Sequence, residues 1–380
     1  MRLKTSSKTS RNECSTPGAK SALGLVAVCF LSFHAVRNSA KLSAAISETL
    51  LASDSDDAPQ SSSSIGGTFP SLEELTQNPP LGSLDCPNMT SAIYDRVVDQ
   101  STNPNKIPKI LHISFKSRCV GTDIFADGIQ RWKDELPDYS VYYHDDDAVD
   151  RLLQLDWPEF PQLHTAMKCM KYGGAMKSDL WRMLIIYKFG GLYTDIDNAP
   201  AQEFQNGTVI LPEDTFFASS DGSNRPCQNA FAMEAGHPIA FFTIKMILQN
   251  VLDLPKLANP KLVITTGPNV FWHGYDKYMK VSKLDQGPKP GIYKGFLNKQ
   301  IQKEPYWNWK HPRGDEKILW NGTKIARKER DRALSKVQHW SLHAQPLDPV
   351  LGEMSCGEYL YRLGHSSEDD LHVANRSSTS

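Results

Sequence analysis

The chain has 380 residues, with 42 Lys and Arg against 43 Asp and Glu. A net charge of -1 supplies no field for nucleic acid or for general adsorption to an acidic membrane. The length allows one large domain with appendages, and 40% hydrophobic content is that of a globular protein.

Residues 1–21 form a basic tail, with Arg2, Lys4, Lys8, Arg11 and Lys20 against Glu13. An apolar run follows at 22–36. A basic flank before such a run is a secretory targeting signal whose positive side stays cytoplasmic. The run is short for a membrane span, which needs about 20 residues. Its length alone favours a signal-peptide core, and Ser43-Ala44-Ala45 offers a cleavage site. The Ser-rich, basic start also leaves an organelle transit peptide open. Residues 37–105 are rich in Ser and acid, as in Ser53-Asp54-Ser55-Asp56-Asp57, and predict a disordered stem. Glycosylation sequons at Asn88, Asn206, Asn321 and Asn375 all follow the apolar run and agree with secretory topology. Five cysteines lie on the same side, Cys86, Cys119, Cys169, Cys227 and Cys356. They can form at most two bridges, of unreadable pairing, and no Cys/His spacing suggests zinc.

The domain expected over 106–345 opens on a β-prone run, Ile107 to Lys116. A helix near Asp123 to Glu135, a strand at Tyr139 to His144 and a helix capped by Asp145 follow. This alternation predicts an α/β domain with a mostly parallel central sheet. The organising stretch runs from Asp179 to Asp197. Met176, Leu180, Met183, Leu184 and Tyr187 fall on one helical stripe, with Asp179 and Arg182 one turn apart at its edge. Gly190-Gly191 stops the helix. The period then becomes two, sending Tyr193, Asp195 and Asp197 to one face of a strand. Two carboxylates on one face call for a hard divalent cation, Mn²⁺ or Mg²⁺, which would bridge phosphate oxygens.

Beyond this stretch, Asn206 to Ile210 and Thr215 to Ser219 read as short strands. Pro238 opens a helix to about Val251, and Thr265 to Pro268 is a turn. The last third is rich in aromatics, including Trp272, Tyr275, Tyr278, Tyr293, Phe296, Tyr306, Trp307 and Trp309. Such rings serve a core or stack on the apolar faces of sugars. Lys324 to Lys336 reads as a solvated helix, and 346–380 as an extension disordered past about Gly364.

Ala175-Met176-Lys177-Ser178-Asp179-Leu180-Trp181-Arg182, followed by Gly190-Gly191-Leu192-Tyr193-Thr194-Asp195-Ile196-Asp197, resembles the signature of the DXD-motif sugar-binding glycosyltransferases. That group includes initiating α-1,6-mannosyltransferases, inositol-phosphoceramide mannosyltransferases and α-1,4-galactosyltransferases. The resemblance covers roughly Ile107 to His343. It implies a GT-A-type nucleotide-sugar-binding domain and a retaining transfer, with mannose favoured and galactose, glucose or N-acetylglucosamine open. The acceptor would be a glycan or glycolipid. It also tips the apolar run towards an uncleaved Golgi type II signal anchor over a cleaved signal.

The resemblance assigns catalytic roles to Asp179, Arg182, Asp195 and Asp197. It assigns donor contacts to Phe115, Asp179, Arg182, Tyr193, Asn229 and Trp340, and metal ligation to Asp195, Asp197 and His339. Val337-Gln338-His339-Trp340 matches the closing family segment only at His339 and Trp340. Two other classes compete. A catalytically silent carbohydrate-binding relative would share the fold. Haloacid-dehalogenase-type phosphatases also use Asp-x-Asp, but here Gly190-Gly191 precedes it and Ala199 stands where Thr or Val is usual.

Overall fold

The computed structural model describes residues 69–86, 91–120, 123–170, 173–200, 204, 209–221, 223–254, 261–284, 290–306, 319–320 and 355–365. The expected tail (1–21) and anchor (22–36), the stem up to residue 68, all four sequons, the helix at Lys324 to Lys336, His339 and Trp340 lie outside these residues. Among the described residues no helix is long and apolar enough to cross a membrane.

Seven strands build one sheet: β1 Ile110–Ser114, β2 Ser140–His144, β3 Gly191–Asp195, β4 Asp214–Ser220, β5 Pro226–Met233, β6 Gly291–Lys294 and β7 Gln300–Tyr306. Their spatial order is β2-β1-β3-β5-β4-β7-β6. β1 lies parallel between β2 and β3, with Leu111 opposite both Val141 and Leu192. β5 runs antiparallel to its neighbours β3 and β4. β7 is parallel to β4, and β6 antiparallel to β7. The sheet is therefore mixed, where alternation predicted a mostly parallel one. The cause is local: β4 and β5 are joined by the tight loop around Asp221 to Arg225, closed by Asp221 N donating to Arg225 O at 2.7 Å. A parallel pair would need a crossover of a dozen or more residues. The strand expected at Asn206 to Ile210 is not formed at Val209 and Ile210, which lie in a turn and a bend.

Nine helices are described: α1 Leu72–Thr76, α2 Asp123–Glu135, α3 Asp146–Leu153, α4 Leu163–Lys168, α5 Gly173–Phe189, α6 Pro238–Leu252, α7 Leu262–Thr265, α8 Pro268–Val281 and α9 Cys356–His365. Strand alternation divides the core. Tyr193, Phe216, Phe231, Met233 and Ile301 pack on one side with α5, α6 and α8. Leu111, Ile113, Val141, Leu192 and Phe217 pack on the other with Ile129 and Trp132 of α2. α5 carries the predicted stripe, yet Trp181, Ile185 and Ile186 are fully buried as well. It lies among the sheet, α3 and α6, so almost no side of it meets water.

The Gly-Gly stop after α5 is required twice over. Gly190 has φ +67°, and Gly191 has φ +100° with a hypothetical Cβ only 2.6 Å from Ile110 O. A side chain at either position would strain the backbone and collide with it. Beneath this turn lies a buried histidine pair. His112 Nδ1 and His144 Nε2 are 3.2 Å apart, and His112 Nε2 donates to Gly190 O at 3.0 Å.

Burial lowers the His112 pKa to about 4, against the pull of its bond to Gly190, and it lowers those of His144 and His237 well below the ordinary value. An unfolded chain takes up these protons near pH 6.5, before the folded one does, so acidification favours unfolding. His112 alone should cost roughly 2 kcal/mol of stability between pH 7 and pH 5. Urea midpoints at the two pH values check this, and a midpoint unchanged at pH 5 would contradict it.

From Phe69 onward, the stretch expected as stem lies in the fold. α1 is held by a Ser71–Glu74 capping box and sends Leu72 and Leu75 into the core beside Leu152. Cys86 pairs with Cys119, and Ser91–Ala92 pairs antiparallel with Cys119–Val120. The Ser-rich composition of the preceding segment masked this change in pattern. A second disulfide, Cys169–Cys356, ties the end of α4 to α9. Among the described residues Cys227 is the free cysteine, and burial pushes its thiol up to about 12.

Candidate functional site

The parallel strands β1, β2 and β3 end together at Ser114, His144 and Asp195, with Asp195 directly opposite Ser114. The carboxyl edge of such strands is where open α/β sheets bind ligands. α5 runs into β3 through Gly190-Gly191, so Asp179 and Arg182 of the helix come back over the strand end.

Arg182 is the hub. Its Nη1 donates to Asp195 Oδ1 at 3.1 Å and to Gln228 O at 3.2 Å. Its Nη2 lies 3.4 Å from Asp179 Oδ1, and its guanidinium sits 4.7 Å from the Tyr193 ring centre. The Tyr193 hydroxyl donates to Asp195 Oδ1 at 2.6 Å. Side-chain exposure falls from 33% at Asp195 to 13% at Asp179 and 12% at Arg182, so the network is open at Asp195 and closed behind it.

Burial raises the Asp179 carboxyl above the usual range, against the opposing pull of Arg182 and Thr266. Burial would lower the Arg182 pKa, but Tyr193, Asp195 and Asp179 together raise it, so the guanidinium stays charged. Burial also lifts the Tyr193 hydroxyl well above its ordinary value, which keeps it a donor.

Asp197 does not share the strand face with Asp195 as expected. β3 ends at Asp195, and Ile196 and Asp197 form a turn closed by Asn198 N donating to Asp195 O at 3.1 Å. Asn198 is buried. Its carbonyl accepts from Trp132 Nε1 at 3.0 Å, and its amide donates to Asn229 O at 3.0 Å. These bonds pull the chain inward and end the pleat. The spacing of the two acids is thus set by a turn rather than by strand period.

Other expected contacts are distributed around this core. Asn229 sits on β5 beside the turn, and its side-chain Oδ1 is buried with no partner among the described residues. Phe115, just past β1, is half-buried, with its ring 5.4 Å from Phe125. His339 and Trp340 lie outside the described residues.

The residue pattern gave no hint of two further partners. Gln228 Nε2 donates to Asp179 Oδ1 at 3.3 Å, while its carbonyl takes Arg182. Thr266 Oγ1 donates to Asp179 Oδ2 at 2.8 Å. Thr266 belongs to the turn expected at Thr265 to Pro268. Gln228 adjoins Asn229, but its role depends on β5 pairing with β3.

The donor set suits a hard cation. Magnesium-like ions need only one or two carboxylates when substrate phosphates supply other ligands. Arg182 and Tyr193 both donate to Oδ1 of Asp195, and Asp197 lies two residues away in the turn. Among the described residues no group of three or more His, Cys, Asp or Glu is gathered as a metal site.

Residues 122–217 match the family described as "Glycosyltransferase sugar-binding region containing DXD motif". Over 180 residues the chain is 28% identical to the initiation-specific alpha-1,6-mannosyltransferase of Candida albicans, an alignment covering 40% of this chain and 46% of that protein. The chain thus spans under half the length of this curated relative. Among solved structures, the PaToxG glycosyltransferase overlaps 47% of this chain and 71% of its own, with a TM-score of 0.36 and 18% identity. The segment that holds Asp179, Arg182, Asp195 and Asp197 is thus the one that resembles the DXD-motif sugar-binding region of glycosyltransferases.

Proposed function

We propose that this protein is a metal-dependent, retaining glycosyltransferase of GT-A type that moves a sugar, mannose favoured, from a nucleotide-sugar donor to a glycan or lipid acceptor. One observation carries the proposal: a buried guanidinium fixes Asp179 and Asp195 around a site that opens at the carboxyl edge of the sheet.

Arg182 and Tyr193 both hold Asp195 Oδ1, so the carboxylate cannot swing, and its second oxygen is left for the cation. Asp179 accepts from Gln228 and Thr266 and keeps lone pairs for one donor-sugar hydroxyl. Arg182 stabilises charge near the phosphate side from a site of low exposure, where such charges act strongly. When bound, Mn²⁺ or Mg²⁺ would offset the charge of the diphosphate leaving group. Asn229 would meet a sugar and Phe115 the base, with His339 and Trp340 closing the site.

The proposal extends to topology, with 22–36 as a Golgi type II anchor and the domain lumenal. Two disulfides are in keeping with an oxidising compartment.

Donor hydrolysis tests the reading with GDP-mannose, UDP-galactose, UDP-glucose and UDP-N-acetylglucosamine, each with Mn²⁺ or EDTA. One donor should be cleaved, only with metal, and Asp195→Asn should reduce the rate by about 10²-fold or more. Metal-independent cleavage would remove the cation from the account. Failure to bind any donor would favour the silent relative.

A further inference from the structure

The two segments that close on Asp179 also bring together a second group of side chains. Arg225 lies three residues before Gln228 along the extended chain, about 10 Å away. Asn269 and Trp272 follow Thr266 in the first turns of α8. Arg225 Nη1 donates to Asn269 Oδ1 at 3.2 Å, and its guanidinium lies 5.9 Å from the Trp272 ring centre. Arg225 is held flat by Asp221, whose Oδ2 takes Nε at 2.8 Å and Nη2 at 2.7 Å. Asp221 Oδ1 also accepts from the backbone amides of Ser223 at 2.8 Å and Arg225 at 2.9 Å. The result is a ledge that still meets water: Arg225 is 38% exposed, and Trp272 is half-buried, with the His273 ring tilted 35° to it at 4.6 Å.

Surface stability does not account for so much order, because an exposed Arg–Asp pair contributes little. The chemistry matches a sugar. An indole offers a face for apolar C–H groups, and the Arg225 guanidinium, fixed by Asp221 and Asn269, offers N–H donors to neighbouring hydroxyls. Preorganisation lowers the ordering cost of binding.

We propose that Trp272 and Arg225 form a second sugar subsite, which holds an acceptor residue next to or one beyond the sugar that presents the reacting hydroxyl. This rests on the glycosyltransferase reading and deepens it. The acceptor is then an oligosaccharide chain, read at more than its terminal ring.

The test offers the full-length protein, with GDP or UDP and Mn²⁺, an array of oligosaccharides beside their terminal monosaccharides. Donor hydrolysis is measured on the same preparations. Wild type should bind at least one oligosaccharide about tenfold more tightly than its terminal monosaccharide. Trp272→Ala and Arg225→Ala should abolish that advantage, while Trp272→Phe, which keeps a stacking face, should retain most of it. A donor hydrolysed normally alongside an undiminished oligosaccharide preference in Trp272→Ala overturns the subsite and leaves the enzyme class standing. Capture of no glycan, or capture through a lipid tail alone, overturns it equally. Absence of donor hydrolysis in wild type overturns the enzyme reading, and the subsite with it.

Discussion

Arg182→Lys should lower turnover by about 10²–10³-fold while the protein remains folded. Lysine keeps the positive charge but not the planar fork. One guanidinium now reaches Asp195, Asp179, the Gln228 carbonyl and Ser178 Oγ at once, while lying over Tyr193. An ammonium can satisfy only part of that set. Asp195 would then be held by Tyr193 alone, and its orientation would loosen at the open edge of the site. Arg182→Ala should lose activity to the same degree and also destabilise the fold by about 3–5 kcal/mol, because it leaves carboxylates buried without their counter-charge. Donor hydrolysis together with urea unfolding separates the two effects. Activity of Arg182→Lys within threefold of wild type would reduce this residue to a packing role.

The second large effect concerns Arg118. Its side chain is 5% exposed, and that of its partner Asp95 1%, at 2.9 Å. Nη1 also donates to Ile93 O at 3.2 Å, and Nη2 to Thr76 O at 3.1 Å and Tyr143 O at 2.8 Å. Asp95 Oδ1 in turn accepts from Tyr143 N at 3.0 Å. This cluster joins the segment after Phe69 to the end of β2, so it stitches the apparent stem to the sheet. Arg118→Ala should cost about 3–5 kcal/mol, since Asp95 is left buried and unpaired. A chain beginning at Ile107 should fare worse, because it lacks Asp95, α1 and the Cys86–Cys119 bridge together. A chain beginning near residue 69 should fold. Thermal unfolding of the three proteins checks this, and equal melting points for the two truncations would refute it.

These two residues also mark what the sequence disclosed. The α5–Gly190-Gly191–β3 unit was legible because period, glycine stop and acid spacing all lie within 19 residues. Local rules likewise found α2, β2, the Asp145 cap and the Pro238 start of α6. What escaped depends on contacts distant in sequence. Nothing around Gln228 or Thr266 announces a partner 49 or 87 residues away. The antiparallel β4–β5 pair was missed because its tight loop lay within a stretch read only as a short strand and a following segment. The strand period puts Asp197 on the face of Asp195, but the buried Asn198 that follows it directly draws the chain into a turn. Arg118 was passed over, since an isolated arginine in a loop gives no sign that it is buried.

In the proposed reading, Asp195 and Asp197 bind a nucleoside diphosphate through a divalent cation, with Arg182 fixing the geometry. Calorimetric titration of GDP and UDP into wild type and Asp197→Asn, with Mn²⁺ and with EDTA, tests it most directly. The account predicts that Mn²⁺ tightens one nucleotide at least tenfold in wild type and has little effect in the variant. Equal affinity with and without metal in both proteins would contradict it.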